Sequence, residues 1–206
     1  MKTTTMTTTD HTLLEQHPLL HFERASDVDP LANVLRFLDR AVSSRESNFA
    51  MHFELHAPHG IGSFDFRRAF DRFLTTYLAG LEHRGYAPFC AWCLAGTSHM
   101  PVVRLLLLLD GSEPNSIGKH LRSAEHAWRD AHGIADANGL VGYYDHPNSC
   151  GNGTTIDSGT DGIDANYADC FRWAQVLVGE GKATGACPVG FRVPGRNRPA
   201  LTRTRD

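Results

Sequence analysis

The sequence predicts an α+β domain in which a mainly antiparallel sheet of four to five strands carries helices on one side. Three observations lead there. Phe49, Met51, Phe53 and Leu55 alternate with Ala50, His52, Glu54 and His56, the period-two pattern of a strand with one buried face. Phe66, Phe70, Phe73, Leu74, Tyr77 and Leu81 recur at helical spacing and give a broad aromatic stripe. Two apolar runs, Ala87 to Ala95 and Val102 to Leu109, flank Gly96-Thr97-Ser98 and read as a hairpin.

The elements follow in order. Asp29-Pro30 supplies a cap and a first-turn proline to a helix over Pro30 to Ser43, with Leu31, Val34, Leu35, Leu38 and Val42 on its apolar face. The alternating strand closes at Pro58-His59-Gly60. Ser63 is positioned to cap the phenylalanine-rich helix, which ends before Gly85. Of the two hairpin strands, the second is apolar on both faces, as a central strand should be. A helix from about Ser116 to Ala131 places Ile117, Leu121, Ala124, Trp128 and Ala131 together, and Gly139 to Tyr144 makes a short strand. Asn148 to Asp164 is rich in Gly, Asn, Ser, Thr and Asp without periodicity and predicts a mobile loop. A last helix, near Ala165 to Gly179, lines up Tyr167, Phe171, Ala174 and Val178. Pro194, Gly195 and Pro199 argue against regular structure beyond it.

This order divides the 206 residues into an N-terminal arm over 1–28, one domain over 29–191 with its loop at 148–164, and a basic tail over 192–206. The arm, with its threonine tract and a single Lys2, lacks the apolar centre of a secretory signal and reads as disordered. No apolar run approaches the roughly 18 residues that span a bilayer, so no membrane partner is expected. The cysteines Cys90, Cys93, Cys150, Cys170 and Cys187 are odd in number, in a chain too large to need disulfides, which fits reduced thiols in a cytoplasm. The net charge of −3 excludes a uniformly basic, nucleic-acid-coating surface. Charge is unevenly spread, however. Arg192, Arg196, Arg198, Arg203 and Arg205 stand against Asp206 alone, a local +4 that suits either a solubilising tail or a phosphate-contacting arm.

Several side chains invite a chemical reading. His52, Glu54 and His56 at alternate strand positions project from one face, and two imidazoles with a carboxylate suit a divalent metal; the same pattern also arises when one sheet face is simply wetted. Cys90-Ala-Trp-Cys93 has zinc-like spacing, but residues three apart on a strand face opposite sides, so buried inert thiols are expected. Dinucleotide, P-loop and serine-hydrolase motifs are absent from the sequence. Trp128 and Phe70, at helical spacing with other apolar residues, read as core anchors rather than base-stacking platforms.

Phe89-Cys-Ala-Trp-Cys93, then Val102 through Asp110, Ile117-Gly118, Ala127-Trp128 and Gly139-Leu140-Val141 give the stretch from Tyr86 to Val141 a resemblance to a known family. It resembles the YagK/YfjJ C-terminal domain family, the replication-initiator-like proteins of filamentous phages and prophage remnants. The resemblance implies a relation to the HUH endonucleases of rolling-circle replication and their ferredoxin-like scaffold. There, two histidines at alternate strand positions and a third polar ligand hold Mg²⁺ or Mn²⁺ against a scissile phosphate, which a helix-borne tyrosine attacks.

Aligned on Asp110, this chain carries Val102 and Arg104 at the histidine pair; the other register offers His99-Met100-Pro101. Trp173 falls at the nucleophile's place, and Tyr167 is the nearest phenol. Residues that serve chemistry rather than packing can be lost without losing the fold. The resemblance therefore implies a protein of phage or mobile-element descent that binds DNA, single-stranded by analogy, through Arg104 and the five C-terminal arginines, with cleavage lost and no cofactor. An alternative is an active metal-dependent nickase in which His99 joins His52, Glu54 or His56 around a divalent ion and Tyr167 attacks. A third reading is a non-catalytic module that binds a protein.

Overall fold

A computed structural model describes residues 30–97, 100–112, 116–143, 153–157, 163–183 and 190–192. The elements run α1 (Pro30–Ser43), β1 (Ser47–His56), α2 (Ser63–His83), β2 (Phe89–Gly96), β3 (Pro101–Asp110), α3 (Ile117–His132), β4 (Val141–Tyr143), β5 (Gly153–Asp157), α4 (Ile163–Ala183) and β6 (Gly190–Arg192). The fold is α+β with an antiparallel sheet. Its six strands are ordered β4-β1-β3-β2-β6, and β5 pairs with β1 beside β4. From β1 to β4 the chain follows β-α-β-β-α-β with the order β4-β1-β3-β2, the split β-α-β arrangement of ferredoxin-like folds.

Strict alternation in β1 drives one side of the sheet into a large core. Phe49, Met51, Phe53 and Leu55 join Leu105, Leu107 and Leu109 of β3 beneath the α2 stripe and the α3 residues Leu121, Ala124 and Trp128. Aromatic edges lock α2 to α3: the Trp128 ring meets Phe66 at 5.5 Å and Phe73 at 5.6 Å, both nearly perpendicular. The indole N–H of this fully buried Trp128 donates to the carbonyl of His56 at 3.0 Å, tying α3 to the end of β1. Trp128 and Phe70 are thus core residues, as their spacing predicts.

The expectation of helices on one side is corrected: α2 and α3 cover one face, and α1 and α4 cover the other. The reason lies in the central strands. Ala50, Phe89, Ala91, Cys93, Leu106 and Leu108 make the second face apolar too, and Val34, Phe37, Leu38, Cys170, Trp173 and Leu177 pack on it. The α4 face differs in consequence from the expected stripe, since Cys170, Trp173, Ala174, Leu177 and Val178 are buried while Phe171 is not. Cys90 lies in the first core and Cys93 in the second, the opposite facing expected of a strand.

Three local expectations also change. The predicted mobile loop at 148–164 contains β5, whose β-branched Thr154, Thr155 and Ile156 pair with Ala50, Phe49 and Asn48. Arg192, assigned to the tail, ends β6 opposite Cys90. Ser63 is the first helical residue of α2, and the N-cap is Gly62 without a side-chain bond. The Asp29 cap lies outside the described residues. Arg45 braces the entry to β2: its guanidinium donates to the carbonyls of Tyr86 at 3.3 Å and Ala87 at 2.9 Å and sits 4.9 Å over the Phe89 ring. That clamp holds Ala87 at a φ of 43°, a left-handed conformation costly for a non-glycine residue. No described helix is long and apolar enough to cross a membrane.

Candidate functional site

The β1–β3 register sets His52 against Leu106, Glu54 against Arg104 and His56 against Val102. His52, Glu54 and His56 therefore share one face, as their alternation predicts, and it is the face covered by α1 and α4. Val102 and Arg104, the residues standing where the resemblance expects a histidine pair, lie on that same face. The strand pairing has brought together what the sequence singled out separately.

Within the group, Arg104 Nε lies 3.4 Å from Glu54 Oε2, and both side chains are mostly buried, at 16% and 15% exposure. The second carboxylate oxygen of Glu54 is 3.9 Å from Nε2 of the half-exposed His56. His52 points inward: it is 1% exposed, and its ring centre lies 6.0 Å from that of Trp173 on α4. The two histidines thus diverge, one into the core and one toward solvent.

These residues do not fit a divalent cation. A guanidinium already occupies the carboxylate, and a second cation placed there would meet Arg104 at close range. His52 is engaged by an indole rather than turned toward Glu54 and His56. Among the described residues no group of three His, Cys, Asp or Glu side chains is arranged to hold a metal. His99, the remaining metal candidate, lies outside the described residues.

Tyr167, the candidate nucleophile, sits in the first turns of α4, and its hydroxyl donates to the Asp39 carboxylate on α1. Burial and the adjacent Asp39 carboxylate push its phenol above the ordinary value. The hydrogen bond ties α4 to α1 through the Tyr167 hydroxyl. Trp173, at the apparent nucleophile position, is 3% exposed and faces the sheet. Asp39 has no sequence signal of its own, because it stands 128 positions from Tyr167.

Of the candidate DNA contacts, Arg104 is the mostly buried, ion-paired residue just described, and Arg192 is placed by its backbone at the end of β6. Arg196, Arg198, Arg203 and Arg205 lie outside the described residues. Sequence reasoning missed a second titratable group on the opposite layer. Tyr77 donates to the His120 carbonyl at 3.4 Å, Lys119 Nζ lies 3.2 Å from the Tyr86 hydroxyl, and the Tyr86 and His120 rings meet edge to face at 5.2 Å. Burial, reinforced by Lys119 and Arg84, pushes the His120 imidazole down to about 4.

No family model, curated protein or solved structure matches this chain. As arranged, the β1–β3 face is a neutralised polar cluster beneath a helix, suited to holding strands in register.

Proposed function

We propose that this protein is a DNA-binding relative of rolling-circle replication initiators that no longer cuts its substrate. The observation that carries the reading is the Glu54–Arg104 pair, a fixed internal cation on the face that the resemblance reserves for a metal and a phosphate. Trp173 in place of a nucleophile supports it. The ferredoxin-like strand order agrees with the scaffold implied by the resemblance. Support for DNA as the partner comes from the five arginines within residues 192–206, a segment of net +4 on a chain of net −3.

The test has two arms. Incubation with a single-stranded oligonucleotide and Mn²⁺, followed by a denaturing gel, is expected to give no covalent adduct. Fluorescence anisotropy at several salt concentrations is expected to give binding that weakens steeply with salt, and deleting residues 192–206 is expected to flatten the slope by roughly three to four units. An adduct abolished by Tyr167→Phe would overturn the loss of cleavage. No binding at low salt would overturn the DNA reading and leave a protein-interaction module.

A further inference from the structure

The chain contains two Asn-Gly pairs, Asn138-Gly139 and Asn152-Gly153. Such pairs differ chemically from other asparagines. With no β-carbon on the following residue, its backbone nitrogen is free to approach the asparagine carboxamide carbon and close a five-membered ring. In a folded chain that approach depends on how each glycine is held, and the fold holds these two differently.

Asn138 and Gly139 form the centre of the turn that leads from α3 into β4. The N–H of Leu140 donates to the carbonyl of Ala137 at 2.9 Å, Gly139 has a φ of 76° and Asn138 a negative φ, which together define a type II turn. Both central residues are exposed, and a β-carbon on Gly139 would meet nothing within 4 Å. Asp136 Oδ1 accepts from the Asn138 backbone N–H at 2.9 Å, but the Asn138 carboxamide and the Gly139 N–H make no hydrogen bond among the described residues. Type II and type I turns differ by rotation of the central peptide, and glycine after it tolerates either. That rotation carries the Gly139 nitrogen past the Asn138 side chain.

Gly153 is the contrast. It pairs with Met51 at the start of β5, and a β-carbon there would stand 2.7 Å from Ile117 Cδ1 and 3.1 Å from Phe49 Cζ. Gly153 is thereby fixed in the sheet, and its nitrogen with it.

We propose that Asn138 is a site of spontaneous deamidation, converting to isoaspartate and aspartate in the folded protein. The Gly139 nitrogen gives up its proton to solvent base and bonds to Asn138 Cγ; the Cγ–Nδ2 bond breaks, and ammonia leaves after taking up a proton. Water then opens the resulting succinimide. Cleavage between the nitrogen and Cγ leaves aspartate, whereas cleavage between the nitrogen and the main-chain carbonyl carbon leaves isoaspartate, with the chain running through the former side chain. Either product puts a carboxylate in the cleft that Asn138 shares with Glu125, His126, Arg129 and Asp136. Isoaspartate also lengthens the backbone between Ala137 and Leu140, whose carbonyl accepts from the His56 N–H at 2.8 Å.

The experiment incubates the unaltered protein at mildly alkaline pH, folded and in urea, and follows the two Asn-Gly peptides by mass spectrometry after digestion. Conversion is read as the mass gained when NH is replaced by O, and isoaspartate is separated from aspartate by retention and fragmentation. Asn138 is expected to convert several-fold faster than Asn152 in the folded protein, with isoaspartate among its products, and urea is expected to bring the two rates together. Conversion of Asn138 no faster than that of Asn152 in the folded protein would overturn the inference. Aspartate without isoaspartate at position 138 would equally overturn it, since ring opening yields both.

Discussion

Arg104 and Glu54 are direct cross-strand partners, with Nε and Oε2 3.4 Å apart on a face where every neighbouring position of β3 is aliphatic. Removing one member of a mostly buried pair leaves the other charge uncompensated, which costs more than removing both. Arg104→Met is expected to destabilise by about 3 kcal/mol, at the low end for a buried pair. The double variant Glu54→Leu/Arg104→Met should recover part of that loss in urea unfolding. A double variant no more stable than Arg104→Met would show that the pair does not hold the register.

Leu107 is fully buried between β1 and β2, opposite Met51 and Cys90. Leu107→Ala is expected to cost about 2 to 5 kcal/mol through lost burial and an unfilled cavity. A change below half a kcal/mol in the same measurement would contradict its central place.

Acid should weaken the α2–α3 layer. His120 is neutral in the fold with its imidazole at about 4, below the ordinary 6.5, so the unfolded chain takes up the proton first as pH falls. The associated stability is present above about 6.5 and is lost progressively down to about 4. His132, also lowered, acts in the same direction. Unfolding free energy measured from pH 7 to pH 4.5 should fall, and His120→Gln should flatten that fall. An unchanged slope in His120→Gln would assign the acid sensitivity elsewhere.

Gly96 leaves β2 at a φ of 78°, and a β-carbon there would collide with the Met100 carbonyl. Gly96→Ala combines left-handed strain with that clash and is expected to cost about 1 to 3 kcal/mol. Gly133→Ala, also at positive φ but with open space around it, isolates the conformational part. Equal losses in the two would mean that the clash is relieved by movement of the hairpin.

Much of this fold was legible in the residues because it is written in local periods. The α1 boundaries match, and every predicted member of the α2 stripe is buried. The opposite facing of Cys90 and Cys93 follows from strand geometry alone. What escaped depends on distant partners. β5 is short and set among glycines and polar residues, and it gains its identity only from pairing with β1, whose Ser47 meets Asp157 across 110 positions. The second helical layer was foreshadowed by the apolar run Leu105 to Leu109, which cannot leave either face in water. At the candidate site, one-face alternation was readable, but the Glu54–Arg104 pair depends on a register between residues 50 apart. Tyr167 was visible as a phenol on a helix; the carboxylate that holds its proton was not.

The opposed thiols of β2 make the molecule its own reporter of opening. Cys90 is sealed beneath α2, and Cys93 beneath α1 and α4, so a thiol reagent reaches each only when the corresponding layer lifts. Labelling rates at positions three residues apart therefore time two separate excursions of one sheet. If the layers detach independently the rates diverge, and if the domain opens only as a whole they coincide.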